Sequence, residues 1–265
     1  MSLGHVVFVG AGAGAADLIT LRGARALAQA DVVLFDALTD PALRELAPQA
    51  RWLDVGKRGF GGNGCNSTGQ ARINALLVAM ASRHAQVVRL KGGDPSLFGR
   101  LEEELLALAE AGTTCEIVPG VTAALAAAAD TRRPLTRRGR GRSVAFTTAM
   151  TREGSLHADP KPADSEVYYM AGRQLAVLGR RLRAAGWAAD TPVCVVSRAG
   201  WPDSLASSHP LAGLAEAALL HSGRPTVVTV GEAAREVAVA APAAPAASAV
   251  RALQPVQAEA PAAAL

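Results

Sequence analysis

Two glycine-bearing turns carry the residues best suited to chemistry. The first lies in VVFVGAGAGAADLIT (residues 6–20), where a hydrophobic strand runs into Gly10, Gly12 and Gly14. The second, KGGDP (91–95), sets Gly92 and Gly93 before Asp94. Glycine lets backbone N–H groups approach a ligand closely. Ligands of parallel sheets bind outside the carboxyl ends of the strands, so two such turns suggest one shared cleft. Gly10, Gly12 and Ala15 also satisfy the letters of a dinucleotide-binding turn, with Asp31 or Asp36 as the acidic residue beyond it. The best helix start, Thr20–Leu21, comes several residues too late to aim a helix N-terminus at a pyrophosphate. A nicotinamide-dependent oxidoreductase would rest on that loop alone. KGGDP by itself also reads as a tight turn capped by Asp94.

Charge is concentrated in one place. Arg132, Arg133, Arg137, Arg138, Arg140 and Arg142 fall within eleven residues, and Arg58 and Arg100 sit beside other motifs. Arginine holds carboxylates bidentately, so this set suits an acidic small molecule. A solvated linker or an RNA-contacting patch would read the same way, but no aromatic residues are interleaved for base stacking. The net charge of +4 is too mild to argue for nucleic acid. Cys65, Cys115 and Cys194 show neither CxxC pairing nor metal-ligand spacing, so no metal and no disulfide framework is expected. A reducing cytoplasm fits that cysteine usage. No signal-peptide pattern appears, and no apolar run approaches the ~18 residues of a membrane span.

The elements that must position these residues alternate. Strand-like runs at 5–10, 31–36, 51–56, 85–94 and 114–120 are separated by helix-like runs at 21–30, 70–84 and 99–112. After a basic linker at about 130–142, further strands read at 143–149, 165–170, 191–197 and 225–232, with helices at 174–186 and 211–220. This rhythm predicts an α/β fold of two lobes with mostly parallel sheets, residues 1–119 and 120–234. The Ala/Pro-rich segment 235–265 reads as a disordered tail.

The stretches VGAGAGAADLITLRGARALAQADVVLFD, DVGKR, VVRLKGGDPSLFGR, EIVPGVTAAL, PLTRRG and VYYMAG occur in this order. Together they resemble the tetrapyrrole (corrin/porphyrin) methyltransferases, nearest to the members that C-methylate uroporphyrinogen III. The resemblance spans about residues 5 to 232. It implies S-adenosylmethionine (SAM) bound between two α/β lobes, released as S-adenosylhomocysteine (SAH), with no metal. It implies cofactor contacts at Ala13, Gly92, Gly93, Asp94, Leu97, Thr122, Ala123, Met170 and Ala199. Acid/base roles would fall to Asp36 and Lys57, for which a surface ion pair is the alternative. Substrate carboxylates would meet Arg58, Arg100, Arg137 and Arg138. The reaction implied is two methyl transfers to uroporphyrinogen III, giving precorrin-2 for sirohaem or cobalamin synthesis, by a cytoplasmic homodimer. Ala13 stands where the family has proline, and Arg137 and Met150 stand where it has histidines. Another acceptor (a later precorrin, a diphthine precursor, ribosomal RNA) or SAM binding without catalysis is the alternative.

Overall fold

The computed structural model describes residues 4–56, 67–149 and 163–237. Lys57, Arg58, Cys65, Met150 and the tail beyond Val237 lie outside them. Among the described residues, ten strands form two five-stranded sheets.

The first sheet has the order β3-β2-β4-β1-β5, from β1 (His5–Gly10), β2 (Val32–Phe35), β3 (Arg51–Asp54), β4 (Gln86–Lys91) and β5 (Cys115–Val118). All four of its pairings are parallel, with Val7 opposite Val88 and Val9 opposite Leu90 at its centre. Its inner strands β1 and β2 are nearly continuous apolar runs because both faces are covered there. Val7, Val9, Val33, Val88 and Leu90 pack with Leu27 of α1 (Leu21–Ala28) on one side. Val6, Phe8, Val32, Leu34 and Val87 meet Leu77 of α2 (Ser67–Ala81) and Leu108 of α3 (Leu101–Glu110) on the other. Thr20 caps α1 as the sequence suggests, its hydroxyl accepting from the Gly23 amide at 3.1 Å. From the neighbouring strands β1 and β4 the chain leaves in opposite directions, toward β2 and toward β5. Such a reversal opens a crevice at the carboxyl ends.

The second sheet has the order β6-β7-β10-β8-β9, from β6 (Val144–Thr148), β7 (Ser165–Tyr169), β8 (Pro192–Ser197), β9 (Leu205–Pro210) and β10 (Thr226–Gly231). Here only β6 and β7 run parallel; β7·β10, β10·β8 and β8·β9 are antiparallel. Over both sheets five of eight pairings are parallel, as expected of the whole, while the second sheet alone is mixed. The mixture follows from β9, a polar strand (LASSHP) that pairs back on β8 across the short connection 198–204. Its consecutive Ser207, Ser208 and His209 give no hydrophobic signal. The helix expected at 211–220 is reduced to a 3-10 turn at Leu211–Gly213 and α6 (Ala217–Leu220). One face of this sheet packs on α5 (Leu175–Ala184) through Leu175, Leu178 and Leu182. The other takes α4 (Ala123–Thr131), whose Ala124, Ala126 and Ala127 lie against Val167, Tyr169, Cys194 and Val196. Alanines alone on that face let the helix sit close to the strands.

Within the basic stretch, residues up to Thr131 belong to α4, and Arg137 and Gly141 pair across a tight loop. Among the described residues no helix is long and apolar enough to cross a membrane.

Candidate active site

The two glycine turns are stitched together. The Gly93 amide donates to the Gly12 carbonyl at 2.8 Å, Gly12 returns a bond to Gly93 at 3.3 Å, and Ala11 donates to Lys91 at 2.8 Å. Gly93 holds a φ of 71°, which favours glycine, and a Cβ there would meet nothing closer than 3.8 Å. Its backbone therefore faces open space. The first turn also touches the second lobe: Ala15 donates to the Gly200 carbonyl at 2.9 Å, and a Cβ on Gly200 would overlap the Ala13 carbonyl oxygen. Gly200, at φ 77°, is thus the point where the lobes meet backbone to backbone.

Between them lies a cavity of about 370 Å³, within the range of small-molecule sites. All nine positions singled out as cofactor contacts line it: Ala13 from the first turn, Gly92, Gly93, Asp94 and Leu97 after β4, Thr122 and Ala123 at the start of α4, Met170 after β7 and Ala199 after β8. Several lining residues were not singled out from sequence: Leu38 and Thr39 after β2, Phe98, Tyr169, Arg198 and Trp201. The wall is mostly apolar, and among the described lining residues Asp94 and Arg198 carry the only formal charges.

Asp94 works as a tether. One carboxylate oxygen accepts from the Ser96 amide at 2.8 Å and the other from Gly120 at 2.9 Å, tying the β4 turn to the end of β5. Gly120 must be glycine here, since a Cβ would overlap the Gly93 carbonyl. Thr122 occupies the N-cap position of α4 but does not cap it. Its hydroxyl bonds instead to the Tyr169 hydroxyl at 2.8 Å, which also accepts from the Ala124 amide at 3.3 Å. Burial pushes the Tyr169 phenol up, so it stays protonated. Phe98 packs on the same ring at 5.0 Å.

Asp36 follows β2, directly before the lining residues Ala37, Leu38 and Thr39. It is fixed from below by Arg89, whose Nη2 lies 2.7 Å from its Oδ1. Arg89 is fully buried and also contacts Glu104 of α3 at 3.1 Å, while Lys91 reaches the other Glu104 oxygen at 2.7 Å. Burial, reinforced by the Arg89 charge, holds the Lys91 ammonium below the ordinary lysine range. This four-charge network has a sequence signal: Arg89 and Lys91 alternate within an otherwise apolar strand. A buried charge must be paired, and LEEEL nearby supplies the partner.

Of the four arginines proposed from sequence for substrate, Arg58 lies outside the described residues and the other three do not line this cavity. Arg100 is held by Glu103 through Nε at 2.6 Å and Nη2 at 2.5 Å. Arg137 donates to the Arg235 carbonyl, and Arg138 is exposed; none of the three lines the cavity. Arg133 is buried and paired with Glu236 at 2.7 Å. Two of the six arginines of the basic run, Arg133 and Arg137, therefore clasp the described end of the chain. Among the described residues no cluster of His, Cys, Asp and Glu is placed to hold a metal ion. Cys194 is buried, and burial pushes its thiol up.

Residues 5–215 match the family model for tetrapyrrole (corrin/porphyrin) methylases. A uroporphyrinogen-III C-methyltransferase of Pseudomonas aeruginosa is 40% identical over 242 residues, covering 88% of this chain and 96% of that protein. A siroheme synthase of Pseudomonas paraeruginosa is 40% identical over 238 residues, 88% of this chain but 50% of that protein, so the chain spans about half its length. Among solved structures, a uroporphyrin-III C-methyl transferase from Thermus thermophilus, complexed with S-adenosylhomocysteine, superposes with a TM-score of 0.75 at 34% identity. It covers 87% of this chain and 98% of that one. A cobalt precorrin-4 methyltransferase gives a TM-score of 0.75 at 28% identity, over 87% and 96%. Two lobes meeting at Gly200, a cavity between them walled by both glycine turns, and a family match over most of the chain agree: this protein belongs to the tetrapyrrole (corrin/porphyrin) methylases.

Proposed function

We propose that the chain is a SAM-dependent methyltransferase that C-methylates uroporphyrinogen III twice to give precorrin-2, for sirohaem or cobalamin synthesis. The observation that carries this reading is the convergence of five separate segments on one cavity in a member of this family. The cavity suits the cofactor in size, in its apolar wall and in the open space before the Gly93 backbone. When bound, SAM would supply an electrophilic methyl group on its sulfonium.

The chain's own residues then bind, exclude water and move a proton. Gly92, Gly93, Thr122, Ala123, Met170 and Ala199 would hold the cofactor, with Ala13 and Leu97 closing over it. Asp94 supports them by fixing the β4 turn. Methylation of a pyrrole carbon leaves a cationic ring that must lose a proton, and Asp36 is our choice of acceptor. Arg89 engages its Oδ1, and its Oδ2 carries no hydrogen bond among the described residues. Lys57 is proposed as its acid/base partner, and Arg58 as a carboxylate contact, on the family resemblance alone. We also propose a cytoplasmic homodimer. A later precorrin as acceptor is the second reading, favoured by the equal superposition on the cobalt precorrin-4 enzyme.

Calorimetry with SAH and with NAD(P) tests the cofactor assignment. SAH binding is expected; NAD(P) binding without SAH binding would overturn it. Asp36→Asn is expected to bind SAH near normally while turnover falls roughly a hundred-fold or more, the scale of general-base catalysis. Wild-type turnover would remove Asp36 from that role.

A further inference from the structure

Arg198 has no assigned part in the reaction, yet its surroundings are built around its guanidinium. It follows β8 with a φ of 51°, a left-handed conformation uncommon for a residue with a side chain. Its amide is fixed to the Pro225 carbonyl at 2.8 Å. Nε donates to Asp203 Oδ1 at 2.8 Å, and the guanidinium lies 4.5 Å over the Trp201 ring. Both Arg198 and Trp201 line the cavity. The Nε edge and one face of the guanidinium are thus spoken for, while neither Nη carries a hydrogen bond among the described residues.

Arg224 bonds to the same aspartate, through its backbone carbonyl and through Oδ2 at 3.3 Å. Two guanidiniums share that carboxylate, and a second carboxylate at this connection, Asp130 of α4, is engaged by the Gly200 amide and the Ser204 hydroxyl, both at 2.8 Å. The opposite charge in the wall, Asp94, already accepts two backbone bonds. Arg100 and Arg137, the natural candidates for anion binding, are occupied by Glu103 and the Arg235 carbonyl.

We propose that Arg198 is a carboxylate-binding residue of the cavity, its plane set by Trp201 and Asp203 so that its Nη atoms meet a ligand carboxylate. This rests on the methyltransferase reading, which supplies two sources of that chemistry. One is the amino-acid carboxylate of the cofactor; the other is an acetate or propionate side chain of the acceptor. The partial exposure of the Arg198 side chain, 32%, is compatible with either, since both would enter from the cavity.

The test compares wild type, Arg198→Gln and Arg198→Lys by calorimetry with SAH and with 5′-methylthioadenosine, which keeps the nucleoside and sulfur but lacks the amino acid. Steady-state kinetics with uroporphyrinogen III complete it. If the cofactor carboxylate is the ligand, Arg198→Gln weakens SAH roughly ten- to a hundred-fold, the scale of a charge-assisted hydrogen bond, and leaves methylthioadenosine unchanged. If the acceptor carboxylate is the ligand, SAH affinity is unchanged and KM for the acceptor rises by a similar factor with kcat little altered. Arg198→Lys restores part of either loss. Affinity for SAH and KM both within two-fold of wild type in a folded Arg198→Gln protein would overturn the proposal while leaving the methyltransferase reading intact. So would an equal loss of SAH and methylthioadenosine, which would mark a structural role. Wild-type protein that binds no SAH would overturn the underlying reading, and this proposal with it.

Discussion

Glu104→Gln tests whether the buried charges under the cleft hold the first lobe together. Glu104 is fully buried and serves three donors: Lys91 Nζ at 2.7 Å, Arg89 through Nη2 at 3.1 Å and Nε at 3.2 Å, and Gln70 Nε2 at 3.3 Å. With Asp36 it balances Arg89 and Lys91, two negative charges against two positive. Glutamine keeps the shape but removes one negative charge and turns an N–H₂ toward cations. Breaking a buried pair in this way costs about 3–5 kcal/mol. For a chain of this size that lowers the midpoint of thermal unfolding by roughly 6–20 °C. The effect should also depend on pH. Lys91 already sits below the ordinary lysine range, and losing Glu104 removes an interaction that raises it. Between the lowered folded value and the ordinary one, the unfolded chain binds a proton that the folded chain does not, so stability rises with pH there. The cost of Glu104→Gln should therefore shrink as pH rises toward the lysine range. Urea unfolding followed by tryptophan fluorescence at about pH 7 and about pH 9 reads both. A loss under about 1 kcal/mol, or one that does not change with pH, would refute the network's structural role.

Gly200→Ala places a Cβ against the Ala13 carbonyl at a φ of 77°. The lobes must shift apart there, and SAH affinity is expected to fall ten-fold or more; unchanged affinity on calorimetry would show that the contact does not shape the cavity. His221 is buried, with Nδ1 2.5 Å from Ser197 Oγ and Nε2 2.9 Å from Ser207 Oγ. Burial, with His209 and Arg224 nearby, holds its imidazole below the ordinary histidine value. Its contribution is present above that ordinary value and is lost as pH falls toward the lowered one, so His221→Asn should flatten the acid-side loss of stability. A variant with the wild-type acid limb in urea unfolding would contradict this.

The first lobe was largely legible because its signals are local. Apolar runs in β1 and β4, the two glycine turns and the Thr20 cap each sit within a few residues. The Gly92–Gly93–Asp94 turn shows locally as glycines after a strand, while the other cavity-lining positions, Met170 and Ala199 among them, came from the family resemblance. What escaped depends on partners distant in sequence. β9 is a polar edge strand whose serines pair with β8 and His221, so neither its existence nor the antiparallel run of the second sheet shows in hydrophobic periodicity. Arg100 and Arg137 looked available because sequence gives charge without partners; Glu103 and the Arg235 carbonyl take them. Arg198 was passed over because nothing local shows that the lobes close around it. The Arg89–Glu104 pair was open to inference, since two charges within an apolar strand require a buried counter-charge.

The most direct test of the account is methyl transfer itself. Purified protein is incubated without oxygen with methyl-labelled SAM and freshly generated uroporphyrinogen III, and label and SAH are counted per macrocycle. Two labelled methyl groups on carbon and two SAH per macrocycle are predicted. Tight SAH binding with no label in the macrocycle would contradict the proposed acceptor, and no SAH binding at all would contradict the role assigned to the cleft.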